Sequence, residues 1–452
     1  MAKLTGIDIY KLLPRTNCGD CNRPTCMAFA MQVAAKKATL DQCPHVSAEA
    51  QAVLGDAQRP PIHTVGIGSE AHALAIGGET VLFRHEEKFH HPTAVAVRVL
   101  ATVDDKGLTA QLEAIDQLRF ARVGEDIAVD LIAIDGQAAT EKQFGQVVAA
   151  VADHTSIPLV LLCDNSNSLK TALASLTGKR PLIGPATEQN WEAIARIATE
   201  QRLPVLVRSS SLEGLASLAE TLTQKGIEDL VLCPQTTCLS STLAQLTQLR
   251  RLAVEKRFRP LGYPVCVSAG GDTPAVQSLA ASAAVCRYAD LVITDLTEPA
   301  DILPVLTTRQ NIYTDPTVPN AIEAKLYEIG NPGRAAPVLF TTNFALTYFT
   351  VAAEVENSRV PAFITVMDTE GLGVLNAYAD DKLTGETIVG AIEAQGAMDR
   401  VNHGQLIIPG LIAILQPEIE QASDWDVIVG PEDAAGIPRF LRAGWNSGSQ
   451  GP

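Results

Sequence analysis

Short unbroken apolar runs recur along the middle of the chain, each ended by polar or glycine residues and followed by a helix-like stretch. They are TVLFRHE near Val81, DLIAIDG near Leu131, PLVLLCDN near Leu159, PLIGPAT near Leu182, PVLVRSS near Val205, DLVLCPQ near Leu230, PVCVSAGG near Val265 and DLVITDL near Leu291. The long first interval also holds the apolar AVAVRVL. Strands buried on both faces of a parallel sheet read as continuous apolar runs rather than as alternation. Eight such units after Pro60-Pro61 predict a closed (β/α)8 barrel over residues 61–319, with a doubly wound open sheet as the alternative. Residues 320–452 repeat the pattern on a smaller scale in APVLFTTNF, PAFITVMDTEGLG, QLIIPG and DWDVIVGPEDAAGIP, with helix-like NFALTYFTVAAEVEN and TGETIVGAIEAQ between them. This region predicts a small open α/β sheet.

The 452-residue chain has 46% hydrophobic and 19% charged residues, ordinary globular material for two or three domains. Lys and Arg number 35 against 51 Asp and Glu, and the net charge of −16 argues against nucleic acid as a partner, because phosphate binding wants a basic face. The apolar runs are far too short to span a bilayer, and the opening MAKLTGIDIYKLLPRT holds no apolar core of signal-peptide length. A cytoplasmic protein without membrane contact is expected. In that compartment clustered cysteines read as metal ligands rather than disulfides.

Four of the nine cysteines, Cys18, Cys21, Cys26 and Cys43, form the pattern C-x2-C-x4-C-x16-C. Zinc sites usually come as two separated C-x-x-C knuckles. Three thiolates within nine residues and a fourth later, with Pro44 just behind it, better suit the corners of a [4Fe-4S] cubane, zinc being the alternative. Gly19 would let the ligand loop turn sharply and bring amides near sulfur. TCMAFAMQVAAKKA reads as a helix leaving Cys26, and Arg15, Arg23, Lys36 and Lys37 lie near enough in sequence to offset cluster charge, a solvated basic face being the equal alternative. Ala48 to Pro61 reads as a short helix and linker closing a small domain at residues 1–60. The other five cysteines, Cys163, Cys233, Cys238, Cys266 and Cys286, read as core packing.

Asp135, Asp164, Asn165, Arg208, Ser209, Gln235 and Asp295 follow the barrel runs, at the face where barrel enzymes build their sites. Residues of these types also cap helices, and a scaffold barrel is expected over a catalytic one. RHEEKFHHP, with His85, His90 and His91, reads as a charged surface loop. In the third region four turns would converge at the carboxyl ends of the strands, where open α/β sheets bind ligands. They are Thr341-Thr342-Asn343, Asp368 to Gly373 (with Thr369, Glu370, Gly371 and Leu372), Pro409-Gly410, and Gly430 to Gly436 (with Pro431, Asp433, Ala434 and Ala435). Hydroxyls and backbone amides without a catalytic base suit a large ligand bearing many amides. EGLGVLN approaches G-x-G-x-x-G but has Asn376 in the place of the third glycine, so it is weak evidence for a dinucleotide.

The opening LTGIDIYKLLPRTNCGDCNRPTCMAFAMQVAAKKATLDQCPHVS resembles the amino terminus of the large (gamma) subunit family of corrinoid iron–sulfur proteins, from the acetyl-CoA decarbonylase/synthase, or reductive acetyl-CoA, system. The resemblance continues through VLFTTNFALTYFTVAAEVENSRVPAF, MDTEGLGVLNAYADDKLT, LIIPGLIAIL and VGPEDAAGIPRFL, and covers essentially the whole chain. It implies an α/β protein with a small [4Fe-4S] domain, a central (β/α)8 TIM barrel and a Rossmann-like corrinoid-binding domain. It also implies a methyl carrier, whose cobalt takes a methyl group from methyl-tetrahydrofolate or a methyl-tetrahydropterin through a methyltransferase and passes it to the nickel centre of acetyl-CoA synthase. The cluster would return the electron that cobalt occasionally loses. By motif, Cys18, Cys21, Cys26 and Cys43 would ligate the cluster, and Thr341 to Asn343, Thr347, Thr369 to Gly373 and Pro431 to Gly436 would hold the corrinoid. The implied partners are a small barrel subunit forming a heterodimer, the pterin methyltransferase, CO dehydrogenase/acetyl-CoA synthase, and a reductive activator or ferredoxin. No Asp-x-His-x-x-Gly motif is present, and His403, the sole histidine after residue 320, reads as structural, so the corrinoid is expected base-off. An iron–sulfur electron-transfer protein with a nucleotide-binding tail, or a pterin methyltransferase barrel, would be separated from this reading by cofactor content.

Overall fold

A computed structural model describes residues 6–34, 37–39, 42–47, 59–69 and 72–445. Lys36 and most of the expected linker, Ala48 to Gln58, lie outside the described residues. Two compact units divide the chain: residues 1–120 with 127–314, and residues 121–126 with 315–452.

The first unit opens with two short helices, Gly6–Leu12 and Cys26–Ala34. The second helix buries Cys26, Phe29, Ala30 and Val33, an i, i+3, i+4, i+7 stripe on one face. These side chains meet Ile9, Leu13, Ala38, Cys43 and Val46 in a small cluster of their own. A cluster of that size gains little from burial alone, so a metal staple would account for its stability better than its core does.

A hairpin of β1 (Thr64–Ile67) and β2 (Leu74–Gly77) leads into the barrel. The barrel strands are β3 (Ala94–Leu100), then, after a hairpin of β4 (Arg119–Arg122) and β5 (Glu125–Ala128), β6 (Leu131–Asp135), β7 (Leu159–Leu162), β8 (Leu182–Ala186), β9 (Val205–Ser209), β10 (Leu230–Pro234), β11 (Cys266–Ser268) and β12 (Leu291–Thr294). Eight of these strands form one parallel sheet in the order β10-β9-β8-β7-β6-β3-β12-β11, and a bridge between Leu232 and Val265 joins its two ends. The barrel is closed. Alternate residues point inward, so Ala94, Ala96, Leu131, Ala133, Val160, Leu162, Leu206, Val231 and Leu291 share the interior with Val65, Ile67 and Ile76 of the hairpin. The intervening residues, such as Val95, Ile132, Leu161, Val205 and Leu232, pack outward against the helices.

One expected strand is corrected. TVLFRHE is irregular, and AVAVRVL supplies the strand β3 instead. The first run places only three apolar residues before Arg84, His85 and Glu86, too few to fill a buried strand, whereas AVAVRVL is apolar at six of its seven positions. The loop instead wraps buried Glu79, whose Oε1 accepts from the His90 and His91 amides at 2.8 and 3.1 Å. Two of the five cysteines expected in the core, Cys238 and Cys286, are exposed at helix ends.

The second unit carries β13 (Leu326–Ile329), β14 (Val338–Thr342), β15 (Ala362–Met367), β16 (Gln405–Ile408) and β17 (Asp426–Val429) in the order β13-β15-β14-β16-β17. All are parallel except the edge strand β13. One face of the sheet (Val338, Phe340, Phe363, Leu406, Ile408) packs on Ile388 and Ile392 of the helix Gly385–Ala394 and on Ile419. The other face (Leu339, Ile364, Val366, Ile407) packs on Val355 of the helix Ala345–Ser358 and on Leu441 of the helix Ile437–Gly444. Helices on both faces make this a three-layer α/β sandwich. The chain steps from β14 to β15 on one side and returns with β16 on the other, so strand order reverses between β14 and β16.

Candidate functional site

The cysteine loop turns by positive φ at Asn17 (50°), Gly19 (80°) and Asn22 (57°), which bring the chain back onto itself between Cys18 and Cys26. Asn17 and Cys26 hold each other: the Asn17 side-chain oxygen accepts from the Cys26 amide at 2.8 Å, and the Asn17 amide points at the Cys26 sulfur at 3.4 Å. Cys26 and Cys43 are buried in the small cluster, Cys21 packs against it, and Cys18 is exposed beside it in sequence. Cys18 also brings its sulfur within 4.8 Å of ligand atoms on Asp20 and His45, all three exposed. Hydrogen bonding from His45, and then from Cys18, holds the Asp20 carboxyl below its usual range. Arg15 bonds back to the Tyr10 and Lys11 carbonyls and Arg23 to Gln32, which ties both cations to the helices.

At the carboxyl edge of the second unit's sheet, the ladder between β14 and β16 stops after Val338–Leu406 and Leu339–Ile407. Beyond those pairs the two strands part, and a cleft of about 110 Å³ opens between Thr341, Thr347, Val351 and Val374 on one side and Pro409, Leu411, Gly430, Pro431 and Ala434 on the other. This is the switch point where open α/β sheets hold ligands. The Thr341 hydroxyl is buried there, that of Thr342 is buried at the next position of β14, and neither has a hydrogen-bond partner among the described residues. Leaving such a group unpaired costs on the order of 1–3 kcal/mol.

Asn343 ties the end of β14 to the turn after β15. Its side-chain oxygen accepts from the Thr369 amide (3.0 Å), the Thr369 hydroxyl (3.1 Å) and the Gly371 amide (3.0 Å), and its amide donates to Asp368 at 2.9 Å. Its oxygen and one amide hydrogen are engaged by the 368–373 turn. In that turn Glu370 takes φ of 57° and pairs with Lys382 at 2.7 Å, well out in solvent, and Gly371 takes φ of 76° where a side chain would strike Pro319. The Thr369 hydroxyl donates to the Leu372 carbonyl at 2.8 Å. Gly373 begins the helix Val374–Ala379, and a β-carbon there would find only ordinary contacts with Phe344 and Thr347.

The other two turns are locked together. The Gly410 amide donates to the Pro431 carbonyl at 3.1 Å, and a β-carbon on Gly410 would lie 2.8 Å from the Gly430 carbonyl. Asp433 accepts from the Ala435 amide at 3.1 Å, and the Gly436 amide donates to the Asp433 carbonyl at 2.9 Å. Of the predicted residues, Thr341, Thr347, Pro409, Gly430, Pro431 and Ala434 line the cleft, while Gly410 and Asp433 to Gly436 shape its walls. Sequence reasoning missed the apolar lining of Leu339, Val351, Val374, Leu411 and Ile437, because such residues read as core.

In the barrel mouth Arg98 makes two 2.7 Å contacts with Asp295 and approaches Asp135 at 3.7 Å. Asn165 caps the helix Ser166–Leu173, and the Ser209 hydroxyl donates to Glu188 at 2.6 Å. A larger cavity of about 360 Å³ lies at the amino ends of β7 and β8, but its cations are already engaged: Arg180 with Asp229, Lys179 with the Ala152 carbonyl and His154 with Asp116.

A family model described as CO dehydrogenase/acetyl-CoA synthase delta subunit matches residues 64–441, and a model for an Fe-S cluster segment matches residues 13–45. The chain is 42% identical over 440 residues to the corrinoid/iron-sulfur protein large subunit of Moorella thermoacetica, covering 97% of this chain and 99% of that one. It is 35% identical over 452 residues to the acetyl-CoA decarbonylase/synthase complex subunit gamma of Methanothermobacter thermautotrophicus, covering 97% and 98%. Among solved structures, a 7,8-dihydropteroate synthase from Vibrio fischeri ES114 aligns with a TM-score of 0.41 at 13% identity, over 56% of this chain and 100% of that one, a likeness too distant to bear on function.

Proposed function

The chain belongs to the family of corrinoid/iron-sulfur protein large subunits and acetyl-CoA decarbonylase/synthase gamma subunits, and we propose that it is the subunit that carries a methyl group on a corrinoid. When bound, the corrinoid would supply a cobalt nucleophile for methyl transfer from a methylated folate or pterin to a nickel centre, and a [4Fe-4S] cluster would supply the electron for its reactivation. Cys18, Cys21, Cys26 and Cys43 ligate that cluster, and the Asn17 amide supports the Cys26 sulfur. The protein's own part at the cleft is binding and orientation. Thr341 would offer its hydroxyl to the amide-bearing rim of the ligand from the cleft wall and Thr342 would offer one from the next position of the strand, the apolar lining would exclude water, and Asn343 holds the 368–373 turn in place.

The observation that carries this reading is the pair of buried hydroxyls without protein partners, Thr341 and Thr342, at the end of the central strand. A buried donor is kept at that cost where a ligand satisfies it. The domain division is 1–60 for the cluster, 61–319 for the barrel and 320–452 for the corrinoid. The partners are a small barrel subunit, a methyl-pterin methyltransferase, CO dehydrogenase/acetyl-CoA synthase and a reductive activator or ferredoxin, all in the cytoplasm. No helix among the described residues is long and apolar enough to cross a membrane.

The test is anaerobic purification with an absorption spectrum and metal analysis. Cobalt and iron are expected in a ratio of about one to four. Thr341→Val and Thr342→Val should each weaken corrinoid retention roughly tenfold while the empty protein unfolds at equal or higher denaturant. Iron together with flavin or nicotinamide, and no cobalt, would overturn the reading.

A further inference from the structure

Three inward positions on consecutive barrel strands bring together groups that scaffold packing does not call for. Arg208 on β9 lies opposite Cys233 on β10 in the strand register. The Leu232–Val265 bridge then sets Cys233 beside Cys266 on β11, and both sulfurs belong to the apolar interior of the barrel. Neighbouring strands run about 4.8 Å apart, inside the roughly 4.4–6.8 Å between α-carbons that a disulfide needs. Cys233 keeps 7% of its surface exposed, while Cys266 keeps none. Arg98 is occupied by Asp295 and Asp135, whereas Arg208 sits in register beside Cys233, with the Asp164 carboxylate also acting on its charge.

We propose that Cys233 and Cys266 form a peroxide-reactive dithiol in the barrel mouth, with Cys233 attacking, Cys266 resolving and Arg208 holding the attacking sulfur. The hydrogen bond from Cys266, and then the Arg208 charge, draw the Cys233 thiol down against its burial. The same hydrogen bond, and then burial, keep Cys266 protonated as the donor. Cys163 is the contrast within the same barrel: burial pushes its thiol up, and its sulfur lies near the Gly136 and Asn165 carbonyls, with no arginine acting on it.

The oxidant is a small hydroperoxide. The Cys233 thiolate attacks one peroxide oxygen, forming an S–O bond as the O–O bond breaks, and the departing hydroxide takes up a proton and leaves as water. The Cys266 sulfur then attacks the sulfenic sulfur, forming the S–S bond as the S–O bond breaks, and its proton leaves with the hydroxyl as a second water. Two thiols and one hydrogen peroxide become one disulfide and two waters, so the thiols lose the two electrons that the peroxide gains. Arg208 stabilises first the thiolate and then the leaving hydroxide.

The test treats the whole cluster-bearing protein anaerobically with hydrogen peroxide at one equivalent, then alkylates, digests with trypsin and maps thiols by mass spectrometry. Cys238 shares a tryptic peptide with Cys233, and Cys286 shares one with Cys266, so fragment-ion sequencing assigns the bridge. The expected product is a Cys233–Cys266 disulfide that dithiothreitol reverses. Cys266→Ser should stop the reaction at a sulfenic acid on Cys233 that dimedone labels. Arg208→Gln should slow oxidation of Cys233 roughly tenfold at neutral pH and much less at pH 9, where the thiolate forms without help. Oxidation of Cys163 or Cys286 as fast as Cys233, or a folded Cys266→Ser protein that dimedone leaves unlabelled, would overturn the proposal.

Discussion

His403 meets Trp445 edge-on, with ring centroids 5.0 Å apart. Its Nε2 donates to the Ala336 carbonyl at 2.9 Å and its Nδ1 accepts from the Gln405 amide at 3.1 Å, so the tautomer these bonds assign leaves no ring nitrogen over. Ala336 and His403 precede β14 and β16, at the amino ends of the strands, away from the cleft. His403 is therefore engaged by the protein at both ring nitrogens and is not available to a ligand. Electron paramagnetic resonance of the cob(II) form should lack nitrogen splitting, and His403→Ala should leave that spectrum unchanged while costing about 1 kcal/mol in stability. Nitrogen splitting that disappears in the variant would count against it.

Asn343 joins the end of β14 to the turn after β15 through bonds to Asp368, Thr369 and Gly371. Asn343→Ala strands two buried amides and should destabilise the second unit by on the order of 3 kcal/mol. Corrinoid affinity should fall with it, because the turn loses its anchor. Urea unfolding and cobalt content, measured on the same preparation, check both parts. A variant of wild-type stability that binds no cobalt would instead mean direct contact with the ligand.

Asp290 is buried beside Arg250, and burial pushes its carboxyl up to about 7. The folded value lies above the ordinary unfolded one, so the fold favours the protonated form. This contribution weakens folding as pH rises from about 4 to 7, by at most about 1.4 kcal/mol per pH unit, and levels off above 7. Asp290→Asn keeps an acceptor for the Val265 amide, which the carboxylate now holds at 2.8 Å. The variant should lose less stability than wild type between pH 5 and pH 7.5 in denaturant titrations. Parallel curves would rule out this carboxyl as the source.

Cys26 is both a core residue of the small amino-terminal cluster and one of the proposed ligands. Cys26→Ala should remove or convert the iron–sulfur centre and slow reductive rescue of cob(II). Single-turnover methyl transfer from chemically pre-reduced protein should survive, since the corrinoid turns lie in the other unit. Losing that turnover while cobalt stays bound would break the proposed division of labour.

Much of this was legible in the chain because fully buried strands leave unbroken apolar runs, from DLIAIDG near Leu131 to DLVITDL near Leu291. What escaped was set by tertiary context. TVLFRHE looked like a strand until Glu79 was found buried beneath it, with Arg250 3.5 Å away as its counter-charge. The edge strand Leu326–Ile329 runs antiparallel and is only half-buried, so LYEI carries no apolar signature. At the end of β14, the hydroxyls of Thr341 and Thr342 were readable as candidates, but the bonds of Asn343 to the 368–373 turn were not. Nothing in the local sequence says which neighbour a carboxamide will meet 26 residues away.

The parting of β14 from β16 after Leu339 and Ile407 leaves one side of the main chain of Phe340, Thr341 and Thr342 without a β16 ladder partner. Peptide groups on that wall survive any substitution except proline. A ligand gripped partly by such groups is recognised through the path of the chain rather than the identity of its residues. Substitutions along that wall other than those at Thr341 and Thr342 should therefore be better tolerated than the burial of its side chains would suggest.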